Sequence, residues 1–165
     1  LPVSLGVPLV GGMAMGLITK SSVNTWYKTL DKPEARPPNW MFAPVWTALY
    51  AAMGYGSHLI ANHAAYSPVP EIRDLANLGL TLYYSQLVLN FAWTPLFFGV
   101  HKVKLAAIDC GLLTANVAAM IFTWWKVDRR AAQIVMPYLG WSSFATYLTI
   151  SVYQRNFAGR PRKDQ

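Results

Sequence analysis

The sequence predicts an all-α membrane protein, a five-transmembrane-helix bundle forming a single domain over residues 1–165. Three observations carry that prediction. Hydrophobic residues make up 54% of the chain and charged ones only 13%, too apolar a balance for an ordinary water-soluble domain. The 14 Lys and Arg fall in short clusters between long uncharged stretches, as in polytopic membrane proteins, so membrane flanks explain the net charge of +7 and nucleic acid is not an expected partner. The uncharged run Leu75–Val100, at a helical rise of about 1.5 Å per residue, outspans the roughly 30 Å hydrocarbon core of a bilayer. The one cysteine, Cys110, excludes an internal disulfide. Three scattered histidines have no metal-ligand spacing, so neither a metal nor a required cofactor is expected.

Taken in order, the first span covers residues 1–20, uncharged up to Lys20, marginal in length and rich in glycine. Its Gly12 and Gly16 form a GxxxG pair, which lets two helices approach closely, either in a homodimer or inside the bundle. The stretch has neither a basic n-region nor a small-residue cleavage site, so a removed signal peptide is not expected. Residues 21–39 are the longest polar connection and hold Trp26, Tyr27, Lys28, Lys32, Arg36 and the pair Pro37–Pro38. Aromatic and basic residues suit the headgroup level, and prolines restrict the chain, so this reads as an ordered lid loop. Asn39 is expected to cap the second span, 40–61, which carries Trp40, Pro44, Trp46 and Tyr50. A turn-rich connection follows at 62–74, with Pro68, Pro70, Glu71, Arg73 and Asp74. His58 and His63 lie near this membrane edge and read as interfacial hydrogen-bonding groups, because no carboxylate sits at helical spacing from either.

The third span, 75–100, mixes amides with apolar residues. Gln86, Asn90, Trp93 and Phe97 fall at i, i+4, i+7 and i+11, with Tyr83 at i−3, so a helix lines them up as one polar and aromatic stripe. A buried amide without partners costs on the order of 1–3 kcal/mol, so Gln86 and Asn90 face either other helices or a ligand cavity. Pro95 frees the carbonyl of Phe91 and predicts a kink near the end of the span.

His101, Lys102 and Lys104 form a short hinge to the fourth span, 105–125, which holds the one intramembrane charge candidate, Asp109, with Asn116 on the same face. An aspartate at bilayer centre costs about 2.5–3.5 kcal/mol, and Asp109 lies within reach of the basic hinge, so a structural tether is expected ahead of a proton-carrying role. Lys126, Asp128, Arg129 and Arg130 make the last loop before the fifth span, 131–154, with Pro137, Tyr138, Trp141, Phe144 and Tyr147. Five spans place ten Lys and Arg on the side of loop one, loop three and the C-terminus, and four on the other. The positive-inside rule then puts loop one and the C-terminus in the cytoplasm.

The segments WYKTLDKPEARPPNWMFAPVWTALYAAMGYGS, QLVLNFAWTPLFFG and MPYLGWSSFATYL together resemble the translocator protein family, also called the peripheral-type benzodiazepine receptor or tryptophan-rich sensory protein family. The KP, PP, APxW, LNxxW, FFG and PYLxWxxFAT elements occur in order between about Trp26 and Arg155. The resemblance implies a five-helix receptor or transport-associated protein that binds porphyrins and other haem precursors, sterols and aromatic drugs, in a pocket closed by loop one. Trp46, Asn90, Trp93, Trp141 and Ala145 fall on positions that line this pocket, Tyr27 and Pro38 on its lid, and Leu148, Tyr153 and Arg155 on the proposed cholesterol motif. By family habit the location is the mitochondrial outer membrane with a cytosolic C-terminus, or the envelope membrane in a prokaryote. The chemistry of the residues agrees: indole faces stack on a flat macrocycle or steroid, Asn90 offers one orienting hydrogen bond, and Ala145 leaves room. A tryptophan-packed core without a ligand is the plainer reading of the same residues. No Cys/His pair or Ser-His-Asp set is available for an enzyme, and the alternative, light- and oxygen-dependent porphyrin degradation, would rest on Trp46 and Trp141. Where the family carries an aromatic before x-Pro-Pro, this chain has Ala35 after Glu34, which predicts a looser lid.

Overall fold

The computed structural model describes residues 2–34 and 36–158. Six α-helices follow in order: α1 Pro2–Asn24, α2 Trp26–Thr29, α3 Asn39–Tyr66, α4 Pro70–Thr94, α5 Val103–Val127 and α6 Arg129–Asn156. The five long ones run 23 to 28 residues, or roughly 34–42 Å at 1.5 Å per residue. Among the described helices α5 is long and apolar enough to cross a membrane by length and composition, while the apolar part of α1 is the shorter Ser4–Gly16. Charge at the ends of α4 and α6, and amides and phenols within them, dilute the apolar signal there.

Helices run further than the apolar stretches because chain leaving an apolar environment keeps its backbone hydrogen bonds by staying helical. Thus α1 continues past Lys20, α3 past Ala61 to Tyr66, and α4 begins at Pro70 rather than at Leu75. Pro70 suits a first helical position, where its missing N–H is no loss, and Glu71 in that turn meets the positive end of the helix dipole. The expected Asn39 cap is not formed: Pro38 holds the N-cap position with ψ at 144°, and Asn39 Oδ1 instead accepts from Arg36 at 3.2 Å. Pro95 produces more than a kink. Residues Pro95–Gly99 form a π-helical turn, with Val100 N donating to Pro95 O at 2.9 Å. A proline cannot donate to the previous turn, and the widened turn absorbs the lost bond. The chain then reverses at His101, whose φ of 56° lies in the left-handed region.

In the bundle α4 packs between α3 and α5, α6 closes against both α5 and α3, and α1 lies on α3 and touches the π turn. Trp124 on α5 is fully buried at the centre of one half. It fits because Gly56 and Gly79 leave its indole space, a Cβ at either falling 2.7 Å from the ring, and its Nε1 donates to Gly79 O at 3.1 Å. The GxxxG pair of α1 divides in function. Gly12 has no room for a Cβ because the Tyr50 ring lies against it, whereas nothing comes within 4 Å of one at Gly16. Gly12 therefore packs inside the bundle.

Candidate ligand site

The amide stripe of α4 forms the base of the site. Its Tyr83, Gln86, Asn90 and Phe97 are all buried, as their spacing predicts. Tyr50 on α3 donates to Asn90 Oδ1 at 2.6 Å, and Asn90 Nδ2 donates to the Tyr138 hydroxyl of α6 at 2.9 Å. That hydroxyl donates in turn to Gln86 Oε1 at 2.8 Å, and Gln86 Nε2 reaches Met53 Sδ at 3.4 Å. One directed chain of hydrogen bonds thus joins α3, α4 and α6. Gln86 and Asn90 both serve as links between helices, and the single orienting bond expected from Asn90 toward a ligand is engaged with two tyrosines. Tyr50 and Tyr138 are the partners that sequence reasoning did not single out, although Tyr50 lies one helical turn from Trp46 and Tyr138 one turn from Trp141.

Above this base sit the indoles of α3 and α6. Trp46 stacks on Tyr50 at 5.5 Å between centroids and meets Trp141 edge-on at 6.4 Å, and Phe42 also meets Trp141 edge-on at 5.6 Å. Ala145, half-buried, lies one turn beyond Trp141 on α6. Trp46 and Trp141 therefore share one aromatic cluster over the Asn90 network, with the rings in the favoured edge-to-face geometry. The Nε1 of Trp141 is buried and has no hydrogen-bond partner among the described residues.

Trp93 belongs to a neighbouring cluster at the lid end. It stacks on Phe97 of the π turn at 5.2 Å, and its buried Nε1 likewise lacks a partner among the described residues. Tyr27 of α2 packs edge-on to Phe98 at 5.6 Å, and Trp26 stacks on His101 at 4.0 Å, so the lid is seated on the turn that Pro95 creates. Lys32 Nζ donates to the carbonyls of Tyr27 at 2.6 Å and Leu30 at 2.8 Å, closing α2. Burial and the nearby Arg36 lower the Lys32 ammonium from its ordinary range, against the opposite pull of Asp31. The side chain of Asn156, at the end of α6, accepts from Asp31 N at 2.9 Å and donates to Asp31 O at 2.8 Å. This two-point latch ties the middle of the loop to the end of α6. Pro38 lies exposed where the lid enters α3, and Ala35 lies outside the described residues.

The residues expected to form a cholesterol motif lie on α6, ahead of Asn156. Tyr153 packs into the lid-end cluster and stacks on Phe157, Arg155 reaches Asp31 at 3.7 Å, and Leu148 is half-buried one turn beyond Phe144. Asp109 is buried on α5 with Oδ2 unpaired among the described residues, so the expected tether to the basic hinge is not made. Asn116, expected on its face, instead pairs with Ser85 of α4 at 2.7 Å. At the opposite end His63 does find a carboxylate, from a distant part of the chain: its Nε2 lies 3.3 Å from Asp128 Oδ2. Asp128 also caps α6, accepting from Arg130 N at 2.8 Å and Ala131 N at 3.3 Å. Burial pushes this carboxyl upward, but the two amides and His63 outweigh it and hold the group below its ordinary value.

Residues 4–155 match the TspO/MBR family. The chain is 39% identical over 135 residues to a human protein named translocator protein, covering 82% of this chain and 77% of that one. It is 40% identical over 145 residues to the translocator protein homolog of Schizosaccharomyces pombe, covering 87% and 84% respectively. With the tryptophan-rich protein TspO of Chlorobaculum tepidum the identity is 31% over 156 residues, covering 94% and 95%. With its all-helical bundle and aromatic core, the chain belongs to the TspO/MBR family and is a membrane protein of the translocator type.

Proposed function

We propose that this protein is a membrane receptor that binds porphyrins, sterols and aromatic drug-like molecules between its helices and takes part in their transport, with the five long helices as its spans. The observation that carries the reading is the Trp141 indole, a buried donor without an acceptor among the described residues, beside the ring of Trp46. An unpartnered donor in an apolar bundle is costly to leave, and a ligand carboxylate, carbonyl or hydroxyl would satisfy it while the flat body of the ligand stacks on the indoles. The Trp93 indole, likewise unpartnered among the described residues, is a second such donor near the lid. Asn90 acts beneath them by holding Tyr50 and Tyr138, and Tyr27, Pro38 and Ala145 shape the entrance and the wall. Leu148, Tyr153 and Arg155 are the proposed sterol contact. The location proposed is the mitochondrial outer membrane with lid and C-terminus in the cytosol, and protease protection of a C-terminal tag in isolated organelles tests it.

Titration of the protein with protoporphyrin in the dark and without oxygen is the direct test. Binding should quench tryptophan fluorescence, and Trp46→Leu and Trp141→Leu should each abolish most of the quenching. Trp141→Phe keeps an aromatic ring and removes the N–H, so affinity should fall by about tenfold, the worth of one hydrogen bond to a charged acceptor. Unchanged affinity in all three variants would place the ligand elsewhere. Loss of porphyrin on later illumination in air, dependent on the same indoles, would instead favour a porphyrin-degrading enzyme.

A further inference from the structure

The outward side of α5 and α6 carries a second feature, remote from the site above. Ala118, Ile121, Phe122 and Trp125 fall at i, i+3, i+4 and i+7 on α5, and with Met136 of α6 they line a groove of about 250 Å³. Phe122 is 65% exposed there. At the loop end of the groove two cations fold back over its own aromatic rings. Lys126 Nζ lies 4.4 Å from the Phe122 centroid, and Arg129 Cζ lies 5.6 Å from that of Trp125. Neither is in an ion pair among the described residues, for Asp128, the acid between them, is occupied by His63 and by the amides that begin α6.

An apolar groove along the depth of the bundle, ending in uncompensated positive charge where the helices end, has the polarity of an anionic amphiphile. We propose that this groove binds an anionic phospholipid, with an acyl chain along Ala118, Phe122 and Met136 and its phosphate between Lys126 and Arg129. A second copy of the chain docking by the same face offers no acid to meet these cations, since Asp109, the one acidic residue of α5, is buried inside the bundle. The cation–π contacts keep both side chains over the groove instead of extended into water, which prepares the site for a headgroup.

Native mass spectrometry of the full chain, with phosphatidylglycerol and phosphatidylcholine of identical acyl chains, tests the proposal. The wild type should retain phosphatidylglycerol about fivefold or more over phosphatidylcholine, in line with the attraction of each basic residue for an anionic surface. Lys126→Gln with Arg129→Gln should reduce the two lipids to equal retention, and Ala118→Phe, which fills the groove, should lower both. Lys102→Gln with Lys104→Gln, at the other end of α5, should leave the preference intact. Thermal melting of each variant confirms that it is folded. Equal retention by the wild type, or a preference that survives the loss of Lys126 and Arg129, overturns the proposal. So does an equal loss in the Lys102 and Lys104 variant, which reduces the effect to general charge. A wild-type dimer that Ala118→Phe dissociates would assign the groove to self-association and overturn it as well.

Discussion

At the scale of single residues, Asn90 shows how burial changes the meaning of a side chain. As a free amide on an aromatic stripe it reads as a ligand contact that leucine could replace without harm to the fold. With Tyr50 and Tyr138 bound to its two ends, Asn90→Leu takes the acceptor from the buried Tyr50 hydroxyl and leaves that of Tyr138 with Gln86 alone, at a cost on the order of 1–3 kcal/mol. The melting temperature should fall by a similar amount with and without porphyrin; unchanged melting together with weakened binding would return Asn90 to the ligand. Asp128 gives a prediction with a pH sign. Its folded carboxyl titrates lower than an ordinary one, so it stabilises the protein above the ordinary carboxylate range, and that contribution is lost as pH falls through the lowered folded value. Asp128→Ala should destabilise by about 0.5–2 kcal/mol at neutral pH, the usual worth of an N-cap. Melting curves of wild type and variant should converge as the pH is lowered through the carboxylate range, and a gap that persists in acid would remove the cap from the explanation.

Among the elements, the lid and the π turn depend on each other. Pro95 opens the turn, the turn presents Phe97 and Phe98, and Trp26 and Tyr27 pack on the surface so made. The Asn156 latch then fixes the middle of the lid to the end of α6 through the backbone of Asp31. Asn156→Ala removes both bonds, which are partly exposed and so worth about 1 kcal/mol together or somewhat more. If lid opening limits release, stopped-flow measurements should give porphyrin dissociation about fivefold faster with association little changed. Equal off-rates would mean that ligands leave by another route. The same assay on Ala35→Trp tests whether an aromatic at that position slows release.

For the molecule as a whole, Trp124 is the wedge about which α3, α4 and α5 are spaced. Gly56→Ala drives a methyl into its ring, and an interior this closely packed yields only by shifting helices, at a typical cost of about 1–3 kcal/mol. The variant should melt lower and show altered tryptophan emission without ligand. Full stability would mean that the indole can move aside. The hydrogen-bond chain from Tyr50 to Met53 then holds α6 to α3 and α4 on the side where the ligand site is proposed, so helix spacing and site geometry are set by one core.

The sequence by itself determined the helical character, the order and approximate place of the long helices, the family and the buried stripe from Tyr83 to Phe97. The helices and the stripe follow from local periodicity and composition, which act over a few turns of chain, and the family from the resemblance of the ordered APxW, LNxxW and PYLxWxxFAT elements. Tertiary structure alone decided which atoms the polar groups meet. The spacing of Gln86 and Asn90 required a partner for each, but Tyr50 and Tyr138 are 40 and 48 residues from Asn90, and no periodicity relates them. His63 shows the same limit, since its carboxylate arrives from the far end of α5, and Asp109 shows the converse, a nearby basic hinge that the fold turns away. The latch between Asp31 and Asn156 spans 125 residues. Hydrogen bonds are directional and short, so they depend on how helices rotate and slide against one another, and that is settled by the fit of Trp124, Gly12 and their neighbours in three dimensions.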